Sequence, residues 1–130
     1  MSLFVDSSAI LALFDPDDPA QVATTYAFTG GRLERLTTHA YVVAETLAVA
    51  RRRYGPRVAA DIIDRVLPAI RVVPVDPELH AAALTAFRET VDSSVSFVDR
   101  TSFAFMRREG ITRAIAIDAD FRIAGFETLP

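Results

Sequence analysis

Short apolar runs alternate with longer stretches of helical periodicity along this chain, and the alternation predicts an α/β fold. The first run, Leu3–Val5, is short and bulky, as expected for a strand buried in a sheet. Because strands alternate with helices or helix pairs, we expect a three-layer α/β/α arrangement around a mainly parallel sheet. The predicted strands are residues 3–5, 36–38, 70–75, 113–118 and 126–129.

Residues that cap or stop helices mark the expected helix ends. Either Ser7 or Ser8 is expected to cap the first helix through its hydroxyl. Thr38 and Ser96 are expected to have the same role in two later helices. The helices after the first are predicted at 19–29 (capped by Asp18 and stopped by Gly30–Gly31), 40–54, 57–69, 77–90, 97–109 and 119–124.

Length and composition indicate one globular domain over residues 1–130, since the chain has 130 residues, of which 51% are hydrophobic and 24% charged. The absence of Cys excludes disulfides and thiolate metal sites. The apolar runs are too short to span a membrane, and no secretion signal is recognisable, so we expect a cytoplasmic protein. With a net charge of −3, the chain is not a general polyanion binder.

Most of the seventeen acids have ordinary positions in turns, helix caps or solvated helix faces. Four acids differ. Asp6 and Asp118 each follow an apolar run that is predicted to be a buried strand. Glu45 and Asp99 lie on helix faces whose neighbours three and four residues away are apolar or small. Burial is therefore expected for all four carboxylates.

No basic residue lies three or four residues from Asp6, Glu45 or Asp99, so none is placed locally to pair with these carboxylates. An unpaired buried carboxylate costs several kcal/mol or becomes protonated, and a cation relieves that cost. Oxygen ligands without Cys suit Mg²⁺ or Mn²⁺. Asp120 is either a fifth ligand or a cap on the last helical turn. The alternative is that the acids pair with distant Arg residues or cap helices. The two histidines, His39 and His80, share no motif and are expected at helix ends or on the surface.

The segments around the four acids carry a family resemblance. They are Asp6–Ala9, Val42–Leu47 around Glu45, Ser96–Phe103 around Asp99, and Ile117–Phe121 around Asp118. Together they resemble the PIN domain, and Ala124-Gly125-Phe126 and the chain length resemble its bacterial VapC-type toxin branch. The resemblance covers the whole chain.

The resemblance implies a Mg²⁺-dependent endoribonuclease that acts as the toxin of a type II toxin–antitoxin system. It assigns catalysis and metal binding to four acids, a further metal ligand to Asp120 and a supporting role to Ser8. It also implies an RNA substrate, a cognate antitoxin and a homodimer. The alternative is a PIN fold that only binds RNA or protein. The four acids with the catalytic role are Asp6, Glu45, Asp99 and Asp118.

Two phosphotransfer folds also place an Asp after the first strand, but the residues disfavour both. A response-regulator receiver needs a Lys that contacts the phosphate, and all fourteen basic residues here are Arg. A haloacid-dehalogenase-type phosphatase expects a second Asp where this chain has Ser8.

RNA affinity must come from basic residues, because clustered carboxylates repel a phosphate backbone. Arg100 follows Asp99 directly and is the candidate for the rim of the site. Arg107 and Arg108 lie further along the same helix, where complementing the helix dipole is the alternative role. Arg51–Arg53 end the helix that carries Glu45 and are further candidates. This helix and the next, joined by Gly55-Pro56, are expected to form a hairpin that binds an amphipathic antitoxin helix.

Overall fold

A five-stranded sheet lies at the centre of the molecule, in a computed structural model that describes residues 1–30 and 34–130. All four strand pairings are parallel, and the strand order is β3-β2-β1-β4-β5. The parallel sheet confirms the predicted fold class. The strands are β1 Ser2–Val5, β2 Arg35–His39, β3 Arg71–Val73, β4 Arg113–Ile115 and β5 Glu127–Leu129.

Helices connect successive strands, and within the described residues none is long and apolar enough to cross a bilayer. The helices α3 and α4 follow each other directly at Gly55, as the predicted hairpin requires. The α-helices are α1 Ser7–Ala12, α2 Gln21–Thr29, α3 Ala40–Tyr54, α4 Pro56–Asp61, α5 Pro77–Glu89, α6 Phe97–Glu109 and α7 Asp120–Ile123.

Helices cover both faces of the sheet, which confirms the three-layer arrangement. Successive side chains of a strand point to opposite faces. Accordingly, Phe4 belongs to one apolar core together with Phe103 and Phe121, whereas Leu3 and Val5 belong to a second core. The central strand is therefore buried on both sides, which is why its sequence is an uninterrupted apolar run.

The strand order places the candidate acids at one edge of the sheet. From β1 the chain builds outward through β2 and β3, then returns to β4 on the other side of β1. The crevice beyond the carboxyl ends of such strands is where open α/β sheets bind ligands. The backbone N–H of Asp6 donates to the carbonyl of Ile115 at 3.0 Å, so the ends of β1 and β4 are joined there.

Two strands are shorter than predicted, and local hydrogen bonding explains both differences. The strand predicted at 70–75 spans only Arg71–Val73, because the N–H of Ile70 closes a turn onto Leu67 and Pro74 has no N–H to donate. The strand predicted at 113–118 ends at Ile115, and shortly after it the N–H of Ile117 donates to the side chain of Ser8 at 3.0 Å. The edge strand predicted at 126–129 is confirmed as β5.

Two helix caps differ from the prediction. The carboxylate of Asp6 caps α1, in place of Ser7 or Ser8, by accepting from the N–H of Ser8. The ring of His39 caps α3, in place of Thr38. Thr38 is buried and donates its hydroxyl to the carbonyl of Val5 at 2.8 Å, which ties β2 to β1.

The remaining helix predictions divide between confirmed and corrected ends. Asp18 accepts from the N–H of Ala20 within a turn, so α2 begins at Gln21, and the predicted stop at Gly31 lies outside the described residues. The helix predicted at 57–69 is α-helical only to Asp61. It continues through a wider π-helical turn, Ile62–Val66, and a 3₁₀ turn, Leu67–Ala69. The predicted cap by Ser96 is confirmed, and the side chain of Asp76 caps α5.

Gly110 offers a test of the stop that ends α6. Its φ is +69°, and a Cβ built there has no neighbour within 4 Å. Gly110→Ala should therefore lower the free energy of unfolding by about 1–2 kcal/mol through backbone strain alone. Urea unfolding measures this loss, and an unchanged midpoint would contradict the left-handed stop.

Candidate active site

Asp6 occupies the position where β1 passes into α1. Only 2% of its surface is exposed. Its Oδ2 accepts from the N–H and the hydroxyl of Ser8, at 3.2 and 2.6 Å. Its Oδ1 is buried and has no hydrogen-bond partner among the described residues. One oxygen of this carboxylate is therefore held in place, and the other is left available for a ligand.

Ser8 holds Asp6 through a hydrogen-bond chain with a defined direction. Its Oγ accepts from the backbone N–H of Ile117 at 3.0 Å. The hydroxyl proton is therefore free to go to Asp6 Oδ2, at 2.6 Å. In this way the segment after β4 fixes the carboxylate that follows β1.

Glu45 projects from α3 toward the start of α1. Ser7 donates its hydroxyl to Glu45 Oε1 at 2.5 Å. The two residues are 38 positions apart in the chain, so this bond fixes α3 against α1. Glu45 is half-buried, which corrects the expectation that it is fully covered.

Asp99 lies in the first turn of α6, where the hydroxyl of Ser96 accepts from its backbone N–H at 3.0 Å. Its exposure is 8%, so the predicted burial is confirmed. One carboxylate oxygen of Asp99 lies within 4.8 Å of an oxygen from Asp118 and one from Asp120. Three acids from two segments distant in sequence thus meet at one point.

Asp118 is exposed, and the prediction that it lies buried at a strand end is wrong. It stands three residues beyond β4, in the loop that leads to α7. Its Oδ1 accepts from the backbone N–H of Asp120 at 3.0 Å. Asp120 is half-buried and makes no side-chain capping bond to α7, which disfavours the cap alternative for this residue.

The electrostatics follow from this crowding. Burial, reinforced by the neighbouring carboxylates, raises the pKa of Asp99 to about 7. Burial and the charge of Glu45 raise the pKa of Asp6 to about 6, although the bonds from Ser8 oppose the shift. Burial and Asp118 also raise the pKa of Asp120, against the nearby charge of Arg100. The folded protein therefore resists having all of these carboxylates ionised at once.

The donor set fits a hard divalent cation. No ion pair in the described part of the chain involves any of the five acids, so distant Arg residues do not neutralise them there. Oδ1 of Asp6 is buried and has no hydrogen-bond partner among the described residues, as expected of a metal-ligating oxygen in a metal-free protein. Mg²⁺ and Mn²⁺ prefer such oxygen ligands.

Basic residues near the acids fall into two groups. Arg107 donates to the carbonyl of Ala124 at 3.0 Å and lies over the ring of Phe126, and Arg108 pairs with Asp76 at 2.8 Å. Both side chains are thus engaged in structural contacts. Arg100 is half-buried, and its Nε is buried without a partner among the described residues.

A groove is lined by residues of α1, of the end of α3 and of the loop after β4, and Asp118 is the one acid of the candidate site among them. Arg53 and Tyr54 also line it, and the hydroxyl of Tyr54 donates to Asp15 at 3.0 Å. This groove links the site to one of the predicted RNA-contacting arginines. Its other lining residues are Ser7, Ser8, Leu11, Ala12, Asp18, Val49 and Ile117.

Sequence reasoning missed the role of Ser7 as the hydrogen-bond donor to Glu45. The only local signal was a second hydroxyl beside Ser8, and pairing it with Glu45 depends on tertiary structure. His39 was expected at a helix end or on the surface. It is at a helix end but is fully buried, between α3 and α6.

Comparison with known proteins agrees with this geometry. The PIN domain family model matches residues 3–127. The chain belongs to the PIN domain family.

One relative is similar along nearly its whole length. The 23S rRNA-specific endonuclease VapC20 of Mycobacterium tuberculosis is 36% identical over 125 residues, which cover 95% of each chain. The crystal structure of that protein, a Sarcin-Ricin loop cleaving toxin, superposes with a TM-score of 0.88 at 34% identity, over 99% of this chain and 100% of the other.

More distant structures share the fold alone. FitAcB from Neisseria gonorrhoeae has a TM-score of 0.72 at 15% identity, over 98% of this chain and 96% of the other. A toxin–antitoxin complex from Klebsiella pneumoniae has a TM-score of 0.69 at 9% identity, over 99% and 97%.

The raised pKa of Asp99 predicts how metal-free stability depends on pH. The pKa of this carboxyl is 3.8 in the unfolded chain and about 7 in the folded protein. Between these two pH values the folded protein keeps a proton that the unfolded chain has released, so the free energy of unfolding falls as the pH rises through this range. Asp99→Asn cannot ionise. In buffer with a chelator, its Tm should exceed that of the wild type at pH 8, and the difference should shrink toward pH 5.

Comparing the wild type with Asp99→Asn controls for other titrating groups, because those groups contribute equally to the melting curves of both proteins. A Tm difference that is the same at pH 5 and pH 8 would contradict the raised pKa.

Proposed function

We propose that this protein is a Mg²⁺-dependent endoribonuclease and the toxin of a type II toxin–antitoxin system. The observation that carries the proposal is the buried, unpartnered Oδ1 of Asp6 beside a cluster of carboxylates from α6 and the loop after β4. The relative VapC20, which cleaves 23S rRNA, makes ribosomal RNA the first substrate to test.

The proposed metal ligands are Asp6, Glu45, Asp99, Asp118 and Asp120, and the first four of these also form the proposed catalytic set. When bound, the cation lowers the pKa of water and neutralises charge that develops on the phosphate. The side chains of Ser7 and Ser8 keep two carboxylates in fixed orientations, which leaves their remaining oxygens directed into the site.

Hydrolysis requires a water oxygen to bond to phosphorus while the bond from phosphorus to the leaving ribose oxygen breaks. The water gives up a proton, and a proton reaches the leaving oxygen. A bound cation would favour the ionised forms of Asp6 and Asp99, which offsets the raised pKa values that both carboxyls have in the metal-free protein.

The RNA backbone is expected to cross the site between Arg100 and Arg53. Arg100 lies beside Asp120 and has an N–H without a partner among the described residues. Arg53 lines the groove that also contains Asp118. A guanidinium at each side offsets the repulsion between the carboxylates and the phosphates.

Cleavage of purified ribosomal RNA, followed by sequencing of the new ends, tests the activity. The wild type should give discrete ends that require Mg²⁺ or Mn²⁺, and Asp6→Asn should lower the rate by more than about 100-fold. Asp61→Asn removes the same charge from a solvated face of α4 and should leave the rate unchanged. RNA binding without cleavage by the wild type would favour the non-catalytic alternative.

Metal binding is measured separately by thermal denaturation. A ligand that binds only the folded state raises the Tm, so Mg²⁺ or Mn²⁺ should stabilise the wild type and Asp61→Asn alike. The shift should be absent in Asp6→Asn and in Asp99→Asn. The same shift in all four proteins would remove these acids from the metal site.

Arg100→Ala tests the proposed phosphate contact, in an Asp6→Asn background that prevents cleavage. RNA affinity should fall, and the slope of log K against log salt should decrease by about 0.7 for one lost contact with single-stranded RNA. Arg65→Ala, which removes an exposed charge from the π-helical turn after α4, is the matched control.

The metal-induced Tm shift should persist when Arg100→Ala is made on its own. Loss of that shift would mean that Arg100 organises the carboxylates, and unchanged RNA affinity would mean that it contacts no phosphate.

A cognate antitoxin and a homodimer complete the proposal. Val22 and Tyr26 of α2 are 82% and 73% exposed, and they line an apolar groove with Leu129 and Pro130. We expect a small co-encoded protein to copurify from the native host and to be lost with Tyr26→Asp, while cleavage is retained. Recovery of this protein alone would count against a cognate antitoxin. The homodimer is tested separately by sedimentation analysis, in which a monomer would exclude it.

A further inference from the structure

We propose that His39 is a positioning residue that sets the spacing between Glu45 and Asp99. Its imidazole joins the start of α3, which carries Glu45, to α6, which carries Asp99. The inference rests on the proposed function, since it takes these two acids as parts of the metal site. His39 is neither one of these acids nor one of the serines that donate hydrogen bonds to them.

Both ring nitrogens of His39 are engaged. Nδ1 lies 3.2 Å from the backbone N of Tyr41 and 3.4 Å from that of Val42, so it accepts from the free N–H groups at the start of α3. Nε2 lies 2.8 Å from the Oγ of Ser102. The residues joined by this second bond are 63 positions apart in the chain.

The direction of these bonds fixes the tautomer. Ser102 has one hydroxyl proton, and the carbonyl of Val98 accepts it at 3.0 Å. The oxygen of Ser102 must then accept from His39, which places the imidazole proton on Nε2 and leaves Nδ1 as an acceptor. Burial lowers the pKa of His39 to about 4, in keeping with a neutral ring.

The ring also packs against the segments that hold the acids. Its centroid lies 5.7 Å from that of Phe4, two residues before Asp6, and 5.9 Å from that of Phe105 on α6. Its exposure is 0%. A side chain held on every side in this way transmits its position to its neighbours.

The geometry connects this ring to both acids through short, rigid paths. Ser102 is three residues after Asp99, so both lie on the same side of α6. Glu45 lies six residues after His39, about 9 Å along α3 at 1.5 Å per residue. A Ser or Asp cap would satisfy α3 equally well but is too short to reach Ser102 as well.

A double-mutant cycle on Mn²⁺ affinity tests the proposal by isothermal titration calorimetry. Ser102→Ala removes the acceptor for His39 together with the hydroxyl bond to the carbonyl of Val98 within α6. His39→Asn keeps a capping oxygen but does not reach α6. We expect each variant to bind Mn²⁺ about tenfold more weakly, as with other residues that orient metal ligands. The double variant should be no weaker than the weaker single one, because both changes break the same bond.

Ile62→Val is the control for general loosening, because Ile62 is fully buried in the other core and this change typically costs 0.5–1.5 kcal/mol. It should lower the Tm without changing Mn²⁺ affinity. Unchanged affinity in Ser102→Ala, additive losses in the double variant, or an equal loss in Ile62→Val would each overturn the proposal. If the wild type binds no Mn²⁺, the proposed metal site fails instead.

Nitrogen-15 NMR of the imidazole gives a readout that does not depend on metal. The proton should be found on Nε2 of His39 in the metal-free wild type. A proton on Nδ1 would contradict the bond to Ser102 and would sink the proposal even if the protein binds Mn²⁺.

Discussion

Repulsion between carboxylates is the constraint around which this fold is arranged. Parallel strands β1 and β4 end side by side, so the acids that follow them meet each other and Asp99 of α6. Burial, reinforced by this crowding, raises the pKa values of Asp6 and Asp99 and destabilises the metal-free protein at neutral pH. A fold retains such a cluster only if its hydrogen bonds hold the acids in place and a ligand offsets their charge.

Hydroxyl side chains supply those hydrogen bonds. Ser8 binds Asp6 and the backbone after β4, Ser7 binds Glu45, and Ser102 joins α6 to His39. Apart from the bond between Ser8 and Asp6, these bonds link segments that lie far apart in the chain, and none occupies Oδ1 of Asp6. The site is therefore organised before any cation arrives, which is the arrangement that favours tight and selective binding.

The sequence was sufficient for the fold class and for the burial of Asp6 and Asp99, because both depend on local patterns. Apolar runs identify the strands, and an acid on an apolar helix face is visible from its neighbours, as for Asp99. The exposure of Asp118 was not predictable, because the path of the chain before it depends on a tertiary hydrogen bond, from the N–H of Ile117 to the hydroxyl oxygen of Ser8. The roles of Ser7 and His39 arise from contacts 38 and 63 residues apart, which no local pattern encodes.

The most direct test of the central claim is a crystal soaked in MnCl₂ and measured for anomalous scattering. The account predicts a manganese peak at about 2.0–2.2 Å from both Oδ1 of Asp6 and a carboxylate oxygen of Asp99. No peak, or a peak bound only by the exposed Asp118 and Asp120, would contradict it, because the buried oxygen of Asp6 would then have no ligand to explain its position.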